Sequence, residues 1–128
     1  MTEKSVVDIL LQSEIPTPAV KKVEVKRLSK HCGERVLFTI KQLPYAKVAE
    51  IKKSGSEDIA LDILLAGVAE PNLKDKTLAA KYGEAPTPAE LVKTMLLPGE
   101  VEEISMEIEK LCGYIANNVS VVEDVKKN

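Results

Sequence analysis

The chain has 128 residues, of which 45% are hydrophobic and 30% charged, and its formal net charge is −2. This composition is typical of a folded domain and excludes wholesale disorder, and the length allows one domain that buries roughly 65% of its unfolded surface. With three Tyr, one Phe and no Trp, the core must be aliphatic, and the base-stacking surfaces of single-strand nucleic-acid binders are nearly excluded. No apolar run reaches the ~20 residues of a membrane span, and Met1–Lys4 lacks a signal-peptide pattern, so we expect a cytoplasmic protein.

The first predicted element is a short helix over residues 5–13. Ser5 is a suitable N-cap with Asp8 three residues later, and apolar side chains follow at helical spacing. Pro16 and Pro18 then favour extended backbone, which stops the helix. Residues 1–19 are therefore predicted to be a helix and a linker outside the main domain.

Alternating apolar and charged residues next predict an antiparallel hairpin of strands 20–28 and 35–42. The turn is placed at Lys30–Gly33, where Gly33 can adopt a positive φ. Two strands alone are marginal in water, so we expect the Val25, Phe38 and Ile40 face to be covered by helices.

Helical spacing replaces the alternation from Pro44 onward. Helices are predicted over 44–54 and over 56–68, the second with an apolar stripe of Ile59, Ile63, Leu64 and Val68. A short third helix is predicted to end at Tyr82-Gly83, and two further helices are predicted to begin at Thr87-Pro88 and around Pro98. The predicted fold is therefore α+β, an N-terminal hairpin packed on a C-terminal bundle of short helices. We expect one domain over 20–117 and a mobile tail over 118–128.

The charged residues are distributed unevenly along the chain. Residues 20–53 carry ten Lys or Arg and three Glu, whereas residues 99–128 carry three Lys and seven acidic residues. A basic block of this kind can bind nucleic acid, but the simpler interpretation is that basic and acidic parts of one domain face each other or a partner. A helix-turn-helix over 44–68 is rejected, because Glu57-Asp58 at the start of its reading helix would repel phosphates.

The residues that catalysis and metal binding require are mostly absent. The sequence has no GxGxxG, Walker, HExxH or GxSxG motif, and His31 is its single histidine. Cys32 and Cys112 form no CxxC pair and are most simply free thiols. We therefore expect neither an enzyme nor a bound metal or cofactor.

Three segments of the C-terminal half carry a family resemblance. They are Glu70-Pro-Asn-Leu-Lys-Asp-Lys76 followed by Tyr82-Gly83, then Thr87-Pro-Ala-Glu-Leu91, and then Met95-Leu-Leu-Pro-Gly-Glu100. Together with the strands around Val25–Leu28 and Phe38–Lys41, their order and spacing resemble the XkdN-like phage tail assembly chaperones.

This resemblance implies a non-catalytic phage or prophage protein of the host cytoplasm. Such chaperones are thought to coat the tape-measure protein, to help recruit tail-tube subunits, and then to leave rather than stay in the virion. Many also exist as a longer product of ribosomal frameshifting. The alternatives are a structural tail or virion subunit, and a nucleic-acid-binding regulator that uses residues 20–53.

The family provides no set of binding residues to transfer, so the partner surface is predicted from a surplus of apolar positions near the C-terminus. The last helix has an apolar seam with spacings of three and four residues, and further apolar residues lie on either side of it. The predicted partner-binding residues are Met95, Leu96, Leu97, Val101, Ile104, Ile108, Leu111, Ile115 and Val122. The same surface could support a homo-oligomer.

Overall fold

The computed structural model describes residues 3–123, which form seven helices and three strands. In chain order the elements are α1 (Val6–Gln12), β1 (Val20–Glu24), α2 (Lys26–Cys32), β2 (Leu37–Lys41), α3 (Tyr45–Lys53), α4 (Ile59–Gly67), β3 (Val68–Glu70), α5 (Lys76–Lys81), α6 (Pro88–Met95) and α7 (Pro98–Leu111). The predicted α+β fold is confirmed.

The strands form one antiparallel sheet in the order β1-β2-β3. β1 and β2 pair as the predicted hairpin should, with Val20 opposite Lys41 and Val23 opposite Phe38. Phe38 and Ile40 are fully buried on one face of β2, as their alternation predicts.

The predicted first strand is wrong beyond Glu24. Residues 26–32 form α2 instead, so Lys30–Gly33 is the end of a helix rather than a hairpin turn. The predicted positive φ of Gly33 is confirmed at 77°, but this residue caps α2. Because residues 26–32 are helical, Leu28 and Val25 are both buried in the core. In a continued strand these two residues would point to opposite faces of the sheet.

The third strand was not predicted. Val68, expected on the apolar stripe of a helix, begins β3, which pairs with β2 through Thr39 opposite Glu70 and Ile40 opposite Val68. A strand of three residues is too short to show periodicity, and its formation depends on the free edge of β2. The sheet therefore has three strands rather than the two of a hairpin.

The core lies between the buried face of β2 and the helices, with α4 packed against α3, α6 and α7. Its largest fully buried side chains are aliphatic apart from Phe38, as the composition predicts: Ile40, Ile63, Leu64, Leu91, Val92 and Ile108. α6 begins as predicted, with Thr87 as N-cap and Pro88 in the first turn. The hydroxyl of Thr87 accepts a hydrogen bond from Glu90 N at 3.1 Å.

α1 begins after Ser5 as predicted and has a capping box formed by Ser5 and Asp8. None of its residues is buried, and the linker through Pro16 and Pro18 has no helix or strand. The proposed boundaries of the domain over 20–117 and the mobility of the tail stay predictions. Residues 118–123 are exposed without helix or strand, and the rest of that tail lies outside the described residues.

Candidate protein-binding site

α7 faces the basic N-terminal half of the domain through a row of ion pairs. Glu107 accepts a hydrogen bond from Lys21 Nζ at 2.8 Å, and Glu109 accepts one from Lys52 Nζ at 2.8 Å. Lys21 lies opposite Ile40 in the sheet, so its pair with Glu107 joins the buried face of the sheet to α7. The uneven charge of the sequence is thus partly neutralised within the domain.

The best-defined of these pairs joins Arg27 of α2 to Glu100 in the first turn of α7. The guanidinium donates to both carboxylate oxygens at 2.9 Å and also to Met95 O at 2.9 Å. Glu100 accepts a further hydrogen bond from Leu97 N at 2.8 Å, which satisfies an amide at the start of α7. The hydrogen bond from Arg27 is the main reason why the pKa of Glu100 is lowered.

Four of the predicted partner-binding residues are core residues. Met95, Leu96, Ile104 and Ile108 are buried, and Ile108 is inaccessible to solvent. Val101 and Leu111 are half-buried against the same core. The apolar seam of α7 therefore holds this helix to α4 and the sheet, as such a stripe commonly does within a domain.

The other three predicted residues are exposed but do not form one patch. Leu97 precedes α7 and Ile115 follows it, so a helix of 14 residues, about 21 Å long, separates them. Ile115 has a φ of 57° and lies beyond the helix, so the seam does not continue to it as predicted. Val122 is 90% exposed in the segment that follows.

A groove of about 430 Å³ lies where the C-terminal end of α7 meets α3. It is lined by Gln42, Leu43, Tyr45, Val48, Ala49, Lys52, Cys112, Gly113 and Tyr114, and is called here the C-terminal groove. Its two sides are held together by Leu43 N, which donates to Cys112 Sγ at 3.4 Å, and by Lys52 Nζ, 4.6 Å from the centre of the Tyr114 ring.

The sequence did not point to Tyr45, which is 91% exposed at the start of α3 beside the C-terminal groove. A large exposed side chain of this kind is a common feature of protein-binding surfaces, since it offers apolar area and a hydroxyl together. The one feature of the sequence that could have indicated this site is the scarcity of aromatic residues, because two of the three tyrosines in the chain line the groove.

A second apolar surface was overlooked in the partner-binding prediction. α1 exposes Val6, Val7, Ile9, Leu10 and Leu11, each of them more than half accessible. Its polar residues Asp8 and Gln12 are four apart and share one side of the helix. α1 therefore presents an exposed apolar surface in addition to the C-terminal groove.

Residues 3–123 were also compared with the requirements of metal sites, membrane spans and disulfides. This region has no group of three or more His, Cys, Asp and Glu side chains able to hold a metal ion. None of its helices combines the length and apolar character needed to cross a bilayer. Cys32 is exposed, and Cys112 is half-buried in the C-terminal groove; both are free thiols.

Comparison with known proteins decides the family. The family model described as "Phage XkdN-like tail assembly chaperone protein" matches residues 56–126, more than half of the chain. The chain belongs to the XkdN-like phage tail assembly chaperones. The match covers α4 to α7 and most of the residues on which the resemblance in the sequence rests.

The fold of this chaperone is also found in a solved structure. The crystal structure titled as the protein YqbN aligns with a TM-score of 0.61 at 21% identity, covering 88% of this chain and 99% of that one. At this identity the likeness supports the fold alone. A search of curated proteins finds no significant match.

Proposed function

We propose that this tail assembly chaperone binds an amphipathic helical segment of its cognate tape-measure protein in the C-terminal groove. In this proposal it acts in the host cytoplasm, helps to recruit tail-tube subunits, and leaves before the virion is complete. The observation that carries the proposal is the exposed apolar groove in a member of this family.

The groove suits one face of a helix better than a small polar ligand. Tyr45 and Tyr114 supply exposed contact area over the buried Val48, whereas Lys52 lies at the groove with its ammonium paired to Glu109. Helix-in-groove recognition uses apolar side chains at i, i+3, i+4 and i+7 on one partner and an apolar channel on the other. Exposed Ile115 and Val122 follow the groove in the chain and are available to extend its apolar surface.

Co-expression with the tape-measure protein, followed by a pull-down, tests this proposal. Wild type should retain the client, and Tyr45→Glu should reduce retention at least tenfold, because it places a carboxylate in the apolar contact. Since Tyr45 is 91% exposed, the variant should keep the circular dichroism spectrum and melting midpoint of wild type.

Met106→Glu is the matched control, because Met106 is an exposed apolar residue of α7 outside the groove. It should retain the client as wild type does. Leu97→Glu and Val122→Glu test the rest of the predicted surface; loss with Leu97→Glu alone would move the site to the other end of α7. If wild type neither retains nor solubilises the tape-measure protein, the proposed function is wrong.

Two further experiments distinguish the proposed function from the two alternatives. Mass spectrometry of purified phage particles should not find the protein, and its presence there would indicate a structural tail subunit. A gel shift at about 150 mM salt should show no binding, and a shift lost on replacing lysines of residues 20–53 would indicate a nucleic-acid-binding regulator.

A further inference from the structure

β1 is an edge strand, and half of its backbone hydrogen-bonding groups face away from the sheet. The strand order is β1-β2-β3, so β2 lies on one side of β1 only. Gln42 N donates to Ala19 O at 2.8 Å. Val25 N donates to Val36 O at 3.0 Å. Because hydrogen-bonded pairs alternate along an antiparallel ladder, the odd-numbered residues of β1 bond to β2. The other side, called here the free edge of β1, carries the amides and carbonyls of the even-numbered residues: Val20, Lys22 and Glu24.

A free edge of this kind can accept a further strand, and its side chains determine which sequence fits. Residues 20–23 are Val-Lys-Lys-Val. Lys22 is exposed and makes no ion pair within residues 3–123. Lys21 is paired with Glu107, but that carboxylate also accepts from Lys110, so these three groups keep one positive charge. A complementary strand therefore has acidic residues at its centre and apolar residues on either side of them.

A second copy of β1 does not meet this requirement. Two β1 strands paired antiparallel along their full length would place Lys22 opposite Lys22 of the second copy. Like charges directly opposite each other destabilise a sheet, and lysine on an edge strand is a common means of preventing association between copies.

The C-terminal tail contains the complementary sequence. Residues 122–125 are Val-Glu-Asp-Val, and four of residues 119–125 are valine, which favours a strand. Laid antiparallel on β1, residues 122–125 place their two acids opposite Lys21 and Lys22, with valine opposite valine at both ends. A parallel alignment gives pairs of the same kinds, because both motifs read alike in either direction. Val122 and Glu123 are exposed, and the next two residues lie outside the described residues.

The tail also starts near β1. Leu43 N donates to Cys112 Sγ at 3.4 Å, so the end of α7 lies close to the end of β2. Lys41 at that end of β2 lies opposite Val20, where β1 begins. The ten positions from Cys112 to Val122 can extend up to about 33 Å, whereas β1 is about 17 Å long. The tail can therefore reach the free edge of its own chain in either direction.

We propose that residues 122–125 add to the free edge of β1 in the same chain as a fourth strand. The structure, in which residues 118–123 are exposed, describes the undocked state of this equilibrium. Docking within one chain is favoured because a short tether gives an effective concentration in the millimolar range, which a contact of four residues requires. The docked strand needs no client, so it holds or fails separately from the proposed function.

Residue-resolved amide hydrogen exchange by NMR tests the docking. The outward amide of Lys22 should exchange at least about fivefold more slowly in wild type than in the full-length variant Glu123→Lys/Asp124→Lys. The amides of Lys21 and Val23 bond to β2 in both states and should exchange alike in the two proteins. No change at Lys22, or an equal change at all three amides, would overturn the proposal.

Lys126→Glu/Lys127→Glu is the matched control, because it reverses two charges of the same tail outside the Val-Glu-Asp-Val sequence. It should keep the slow exchange of Lys22.

Charge exchange tests the pairing itself. Lys22→Glu should lose the slow exchange at position 22. Adding Glu123→Lys should restore it if the tail docks antiparallel, and adding Asp124→Lys should restore it if the tail docks parallel. Recovery with neither would contradict the pairing of the two motifs.

Sedimentation velocity at the concentration of the NMR sample distinguishes docking within a chain from docking between chains. Wild type and Glu123→Lys/Asp124→Lys should have the same oligomeric state. A wild-type dimer that the double variant dissociates would show that tails are exchanged between copies, and would overturn docking in the same chain.

Discussion

Gly67 at the end of α4 lies so close to Ile108 of α7 that no side chain fits between them. A Cβ placed on Gly67 would lie 2.7 Å from Ile108 Cδ1 and 2.8 Å from Ile108 Cγ2. Ile108 is fully buried, so its side chain has little space into which to move. The absence of a side chain at Gly67 thus determines how closely α4 and α7 approach.

Gly67→Ala should therefore lower the free energy of unfolding by about 1–3 kcal/mol, the usual cost of overpacking a core. Urea denaturation measures it. Gly99→Ala is the matched control, because a Cβ on Gly99 would meet nothing within 4 Å. In an Ile108→Ala background, which removes the clashing atoms, Gly67→Ala should cost clearly less. Equal costs in the two backgrounds would show that Ile108 is not the obstacle.

Phe38→Ala should lower the free energy of unfolding by roughly 3–5 kcal/mol, because the ring is fully buried between the sheet and the helices. Leu37→Ala, on the opposite face of the same strand, should cost less than about 1 kcal/mol. Urea denaturation of the two variants and of wild type measures both changes in the free energy of unfolding. A cost below about 1 kcal/mol for Phe38→Ala would mean that this face of the sheet is not essential to the core.

The ion pair of Arg27 and Glu100 should make stability depend on pH in the acid range. Its hydrogen bond from Arg27 lowers the pKa of Glu100 below the ordinary 4.5. The contribution is therefore complete above the unfolded-state pKa and is lost as pH falls through the lower folded-state pKa.

Glu100→Gln removes the charge but keeps an oxygen that can accept from Leu97 N. Its melting midpoint should lie below that of wild type at about pH 6, and the difference should shrink toward about pH 3. A difference that stays constant across this range would show that the charge of Glu100 does not contribute.

The two cysteines should react with thiol reagents at different rates. Cys32 is exposed, whereas Cys112 is half-buried in the C-terminal groove and accepts a hydrogen bond from Leu43 N. Labelling with a chromogenic disulfide reagent should modify Cys32 first and Cys112 several-fold more slowly. Occupation of the groove by a client helix should slow the reaction of Cys112 further without changing that of Cys32. Equal protection of both cysteines would point to a general effect on folding instead.

Much of the secondary structure follows from local signals in the sequence. Ser5, Thr87 and Pro88 begin helices because their side chains or fixed φ satisfy the first turn, whatever the rest of the chain does. The alternation through Phe38 and Ile40 likewise predicted the buried face of β2. α2 was missed because Val23, Val25 and Arg27 continue the strand alternation, although basic residues followed by Gly33 are a helix-ending signal.

The candidate site was harder to predict, because its residues come together only in the folded domain. Tyr45 and Val48 belong to α3, whereas Cys112 and Tyr114 follow α7 more than 60 positions later. No periodicity links segments so far apart. The partner surface predicted from the number of apolar residues near the C-terminus therefore included residues such as Ile104, which is buried in the core.

The sequence by itself determined the α+β class, the aliphatic core, most helix starts and the family, since these depend on composition, short-range capping and ordered local motifs. Tertiary structure alone decided which apolar residues remain accessible. In Met95-Leu96-Leu97, the first two side chains are buried and the third is half exposed, although the three are nearly equal in hydrophobicity. The difference arises because α6 ends at Met95 and the chain turns into α7, which directs Leu97 away from the core.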